Sequence, residues 1–112
     1  SVSDFDVARR VAQQLEIDHI VFTYGEAFEE FVVGPYVEAH RAGLTPNPCI
    51  ECNRHIKFDA LLTRARQLGF DVVATGHHAQ IVETERGRRL ARGRDAAKDQ
   101  SYVLYMLGEE DL

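Results

Sequence analysis

With 112 residues, 45% of them hydrophobic and 28% charged, the chain has the composition of one globular domain. No apolar run reaches the length of a membrane span and no signal-peptide pattern opens the chain; two cysteines are too few for a disulfide framework, so a reducing cytoplasm is expected. The net charge of −5 would argue against nucleic acid if it were evenly spread, and it is not.

Residues 1–42 carry eight acids against three bases. Residues 86–98, "RGRRLARGRDAAK", carry six bases and Asp95 as the only acid. A local field of that sign suits phosphates; the plainer alternative is a solvated hairpin with ordinary surface arginines. The chain opens without Met and enters an amphipathic pattern at once, which reads as a piece of something larger.

Ser3 or Asp4 is the expected cap of a first helix, with Val7, Ala8, Val11, Ala12 and Leu15 on its buried stripe. "HIVFTY" (19–24) is β-branched and aromatic, suiting a strand covered on both faces. A second helix follows from about Glu26, and Pro35 should break or kink it. After a loop, Asn53 is the expected cap of a third helix, with Phe58, Leu61, Leu62, Ala65 and Leu68 at helical spacing and Gly69 as its end. "DVVATG" (71–76) reads as another buried strand, and "AQIVETERGRRLARG" as a hairpin turning at Arg86–Gly87. A last helix should run from near Asp99 through "QSYVLYML". This order predicts an α/β fold with a parallel sheet wrapped by helices, the missing strands lying before Ser1.

Both cysteines fall in "TPNPCIECNR" (45–54). A disulfide there would be transient or catalytic. Cys49, Cys52 and His55 make a C-x2-C-x2-H cluster, with His77 or His78 as a fourth metal ligand, but a structural zinc site normally shows a second tight pair. A thioredoxin-type pair would follow a strand, whereas a proline-rich loop precedes this one. An activated thiol has the best local physics: Cys52 stands just before the expected cap, Arg54 and Lys57 add positive charge, and Pro46 and Pro48 stiffen the loop. Two buried packing residues are the bland alternative. In "ATGHHAQ", Gly76 and His77 follow a predicted strand, where open α/β sheets place ligands; they could equally form a simple turn.

Taken together, "TPNPCIECNRHIKFDALL", "VATGHHAQ" and "RGRDAAKDQSYVLYML" resemble, in order and spacing, the tRNA-specific 2-thiouridylases, and the likeness covers nearly the whole chain. The resemblance implies a parallel-sheet adenine-nucleotide α-hydrolase-like (PP-loop) domain over 1–80, including the cysteine loop 45–53, then a tRNA-contacting connector of basic hairpin and helix start over 81–112. It implies an enzyme that uses ATP, with Mg2+, to adenylate the C2 oxygen of the wobble uridine in a tRNA anticodon loop. A persulfide sulfur then displaces AMP, the sulfur coming from a cysteine desulfurase or a sulfur-relay carrier.

By motif match, Cys52 corresponds to the nucleophile, Gly76 to an ATP-contacting glycine, and Asn47, Pro48 and Cys49 to the target-base stretch. His77, Lys98, Asp99 and Gln100 correspond to tRNA-contacting positions. The family's Ser-Gly-Gly-Val-Asp-Ser pyrophosphate loop is expected upstream, and the persulfide-carrying cysteine downstream. Some members have Asp where this chain has Cys49, and an iron–sulfur cluster held by Cys49 and Cys52 is a further reading. Two rival functions stand beside this one. The first is a non-catalytic module with a Cys/His metal site and a partner-docking hairpin. The second is another ATP-dependent sulfur-transferring or amidating enzyme of the same superfamily.

Overall fold

The computed structural model describes residues 2–112, with side chains from Asp4 onward. Helix α1 (Val2–Gln14) begins ahead of both expected caps, so Asp4 sits in its first turn, where a carboxylate faces the positive end of the helix. Of the expected stripe only Ala12 is buried; Val7, Val11 and Leu15 remain exposed.

Helix α2 (25–41) runs through Pro35 without breaking. Its middle, Glu29–Val33, is π-helical, and the Gly34 amide bonds to the Glu29 carbonyl five residues back. Proline destabilises an α-helix by losing one amide and crowding the carbonyl four residues earlier; the wider turn ahead of Pro35 relieves the crowding. Helix α3 (48–67) starts five residues before Asn53, at Pro48, and its stretch Cys52–Ala60 is also π-helical.

All three helices close with the same pair of bonds. In α3, the Phe70 amide bonds to Ala65 and Gly69 to Arg66; in α2, Leu44 bonds to Ala39 and Gly43 to His40; in α1, Ile17 bonds to Ala12 and Glu16 to Gln13. This closure needs a residue at positive φ. Gly43 (75°) and Gly69 (84°) supply it without strain, whereas α1 uses Glu16 at 54°.

Strands β1 (Ala79–Thr84) and β2 (Gly87–Arg92) form an antiparallel hairpin in register Ala79↔Arg92 to Thr84↔Gly87. The loop is therefore Glu85–Arg86, one residue earlier than expected, closed by Gly87 at φ 87°. This is the one sheet among the described residues, and no parallel ladder forms there. Residues 19–24 and 71–76, read as buried strands, run unpaired and with much of their apolar surface open: Ile20, Val21 and Val72 are exposed, Val72 at 83%. A strand must satisfy its amides against a neighbour, and neither run has one among these residues.

The helix expected from Asp99 is replaced by a 3-10 turn, Ser101–Val103, and a second at Glu109–Asp111. Val103 and Leu104, adjacent in sequence, are both buried. Leu104, at φ −118° and ψ 3°, leaves the helical region. The core is thin: Ala12, Val32, Ile56, Ala65, Val103 and Leu104. The radius of gyration is 16.3 Å. A compact domain of this length would have about 13 Å.

Among the described residues, Glu16 is the one non-glycine residue at positive φ. Glu16→Gly should raise the stability of the complete protein by about 0.5–1 kcal/mol, since an L side chain there carries a left-handed penalty that glycine lacks. Urea unfolding checks this; a loss of stability would show that the Glu16 side chain makes a compensating contact.

Candidate active site

Two asparagines compete to start the cysteine helix, and Asn47 wins. Its backbone is extended (φ −112°, ψ 96°), its Oδ1 accepts the Cys49 amide at 3.1 Å, and Pro48 occupies the first turn, where a missing N–H costs nothing. Cys49 is therefore the second helical residue, and Cys52 lies almost a turn further on, inside the helix rather than ahead of its cap. The helix-end field expected to favour Cys52 acts instead on Cys49. Both thiols are free, Cys49 exposed and Cys52 half-buried. Asn53, the expected cap, is 2% exposed; its Nδ2 donates to the Cys49 carbonyl at 2.8 Å, and its Oδ1 has no partner.

Glu51, between the cysteines, is held from two sides. Arg54 Nη1 lies 3.1 Å from both carboxylate oxygens, and His55 Nε2 lies 3.4 Å from Oε2. His55 also stacks on Phe31 of α2, with ring centroids 4.7 Å apart. Arg54 Nη2 donates to the Tyr105 hydroxyl at 2.7 Å, joining α3 to the segment after the 3-10 turn. With His55 so engaged, the described residues contain no group of three metal-ligating side chains. An iron–sulfur cluster takes four ligands in its common forms, of which Cys49 and Cys52 would be two.

The second motif meets the third. His78 and Gln100 exchange two bonds: the Gln100 amide donates to the His78 carbonyl at 2.8 Å, and the His78 amide to Gln100 Oε1 at 3.0 Å. The β2 exit packs on the same carbonyl, since a Cβ on Gly93 would lie 2.7 Å from it. Asp99 fastens that exit: its carboxylate accepts Gly93 N at 2.7 Å, Ser101 N at 3.2 Å and Ser101 Oγ at 2.9 Å. These bonds, Gly93 foremost, hold the Asp99 pKa below its ordinary value; partial desolvation opposes them and the Arg92 charge assists.

His77 faces Phe58 of α3 (centroids 5.8 Å) and shares a hydrogen between Nδ1 and Thr75 Oγ1 at 2.8 Å. Burial lowers its pKa and Lys57 lowers it further, so at neutral pH it offers hydrogen bonds rather than charge. Gly76 is open, with nothing within 4 Å of an added Cβ.

An open cleft of about 540 Å³ is lined by His77, His78, Gln80, Gly93, Arg94 and Asp95. Arg94 and Lys98 are exposed and form no ion pair among the described residues. Arg89, by contrast, pairs with Glu109 at 3.1 Å, and Arg88 donates to the Leu112 carbonyl, so part of the basic hairpin is engaged within the chain. Three stretches distant in sequence thus converge: the cysteine helix, residues 75–78 and residues 93–105.

The model of the family described as "tRNA methyl transferase HUP domain" matches residues 1–112. The chain belongs to that family. Among curated relatives of this HUP domain, proteins named tRNA-specific 2-thiouridylase MnmA are similar to it. The one from Chloroflexus aggregans is 57% identical over 106 residues, covering 94% of this chain and 30% of that protein. The one from Moorella thermoacetica is 51% identical over 114 residues, covering 100% and 32%. The one from Sorangium cellulosum is 52% identical over 105 residues, covering 94% and 27%. The chain spans about a third of the length of these relatives.

Two contacts were missed by sequence reading, one of which carried a signal. Glu51 stands three and four residues before Arg54 and His55, a spacing that announces helical ion pairs. Tyr105 lies 51 residues from Arg54, and no local pattern connects them.

Exposure and helix position both favour Cys49 for alkylation. Iodoacetamide should label Cys49 in Cys52→Ser faster than Cys52 in Cys49→Ser; the reverse order would refute the helix start at Pro48 as the determinant of thiol access. A second test uses pH. Because the folded pKa of Asp99 is depressed, its stabilisation is complete above its ordinary value and disappears as pH falls through the folded one. The stability deficit of Asp99→Asn, measured by urea unfolding, should therefore shrink below about pH 4. A deficit constant with pH would remove the charge from the explanation.

Proposed function

We propose that the complete protein is an ATP-dependent tRNA-uridine 2-sulfurtransferase. ATP activates the C2 oxygen of the wobble uridine as an adenylate, pyrophosphate leaving. A persulfide sulfur, delivered from a cysteine desulfurase or relay carrier to a cysteine outside this chain, attacks C2, and AMP departs with the oxygen. The Cys52 thiolate then attacks the carrier cysteine's sulfur; the S–S bond of the adduct breaks, the outer sulfur stays on C2 so that 2-thiouridine is released, and a disulfide between Cys52 and the carrier cysteine awaits reduction. The family description speaks of methyl transfer, whereas the named relatives are thiouridylases. Two free thiols at the amino end of α3 support sulfur chemistry and suit a reducing cytoplasm.

The observation that carries this reading is the convergence of the thiol-bearing helix with the loop 75–78 and the basic exit of the hairpin. In this arrangement Asn47, Pro48 and Cys49 border the target base, which an anticodon loop can splay out. Gly76 leaves room for ATP, with Mg2+ on its phosphates. His77, Lys98, Asp99 and Gln100 belong to the tRNA surface, with Arg94 beside them. The Asp99 carboxylate and Gln100 Oε1 already hold the loop, leaving the Gln100 amide nitrogen to the ligand. The runs 19–24 and 71–76 both border one apolar cleft of about 630 Å³ over Leu61 and Ala65 of α3 and Leu68 just beyond it, as expected of strands in a parallel sheet completed elsewhere. The α/β part then extends to about residue 80 and the tRNA-contacting connector follows.

The test is thiolation of tRNA by the complete protein. Cys52→Ser should abolish single-turnover thiolation while tRNA binding persists. Replacing Arg94 and Lys98 by Ala should weaken tRNA binding by about 1–3 kcal/mol and reduce the salt slope by about two phosphate contacts. Full thiolation by Cys52→Ser would overturn the assignment of the thiol, and an unchanged salt slope that of the cleft.

A further inference from the structure

We propose that Arg54 and Tyr105 form a positioning latch through which the segment 98–105 sets the placement of Cys52. This rests on the sulfur-transfer reading of the site and names residues that the reading does not use. Arg54 is two positions beyond Cys52 and Glu51 is one before it, so the Glu51–Arg54 fork flanks the thiol in sequence; at helical spacing both side chains leave α3 on a face turned away from Cys52, and the fork acts on the thiol through the rotation of the helix. The same guanidinium donates its second nitrogen to Tyr105 at 2.7 Å and sits 5.9 Å from the centre of that ring. Tyr105 follows the 3-10 turn that begins one residue after Gln100, and that turn packs against the amino end of α3. A planar guanidinium with both edges occupied has little rotational freedom, which a lysine ammonium would not share. On the far side of Glu51, His55 is clamped on Phe31, so the helix is held against α2 while Arg54 holds it against the connector.

The latch is a poor candidate for a stability device. The Arg54 and Glu51 side chains are 38% and 34% exposed, and Tyr105 is 61% exposed; pairs so open to solvent contribute little to folding. Its effect should therefore appear in rates. Tyr105→Phe keeps the ring and removes the hydroxyl; Arg54→Lys keeps the charge and removes the fork.

In the complete protein, single-turnover thiolation at saturating tRNA should fall about tenfold in each variant, the scale of one hydrogen bond to a charged group. The tRNA Kd and the melting temperature should stay at parental values. Because the two groups act as one unit, the double variant should be no slower than the slower single one. A second readout does not need turnover: in a Cys49→Ser background, the rate of Cys52 alkylation by iodoacetamide should change several-fold in Tyr105→Phe. Parental thiolation and alkylation rates in Tyr105→Phe, or fully additive effects in the double variant, would overturn the latch. If the parent itself does not thiolate tRNA, the sulfur-transfer reading fails, and the alkylation rates alone decide the latch.

Discussion

The side chain of Asn47 accepting the Cys49 amide fixes where α3 begins, and the layout of the site depends on that start. With Pro48 in the first turn the helix begins before both cysteines, which puts Cys49 at the solvent-facing amino end and Cys52 inside the rod. Had the helix begun at Asn53, both thiols would ride on a loop. Glu51, Arg54 and His55 would then not share the helical face on which their contacts to one another, to Phe31 and to Tyr105 rest. Asn53 becomes a brace, its amide tied to the Cys49 carbonyl one turn back.

From that rod the site is assembled by polar contacts between backbone segments rather than by a packed core. The reciprocal bonds of His78 and Gln100, the close approach of Gly93, and the three acceptances by Asp99 join residues 78, 93 and 99–101 into one junction. Each such bond stabilises by only about 1 kcal/mol net, but leaving a partner unsatisfied costs more, which makes the junction cooperative. The segment after Asp99 leaves this junction as a single 3-10 turn, Ser101–Val103, with Val103 and Leu104 buried.

What could be read in the sequence was whatever depends on neighbours a few residues apart. The hairpin followed from alternation and a glycine-bearing turn; the body of α3 and its Gly69 stop followed from three- and four-residue spacing and one helix-ending rule. Even the start at Asn47 was legible, since an Asn–Pro pair is a cap followed by the one residue that suits the first turn; the second asparagine, beside the cysteine, masked it. Illegible was everything set by partners far along the chain. The runs 19–24 and 71–76 have strand composition, but composition does not supply the neighbour that makes a ladder. The contacts between His78 and Gln100, 22 residues apart, and between Arg54 and Tyr105, 51 apart, have no local signature. The likeness to the thiouridylases brought these motifs together before any geometry did, without saying which side chains hold the fold and which face outward.

Helix α3 divides these tasks along its length. Its carboxyl half, with Leu68 just beyond it, presents Leu61 and Ala65 to the apolar cleft beside Ile17, Ile20, Phe22, Phe70, Val72 and Val73. Its amino half carries Cys49, Glu51, Cys52 and Arg54. Covering the exposed Ile20 and Val72 side chains would stabilise by roughly 1.5–3 kcal/mol each, several times what an exposed ion pair such as Glu51–Arg54 contributes. Within this chain the apolar half of α3 therefore has the larger share of surface energy to gain, and the polar half carries the contacts around the thiols. Because one continuous rod spans both, burying the cleft would also fix the axis on which the cysteines ride, leaving their rotation about that axis to the few polar contacts at the amino end.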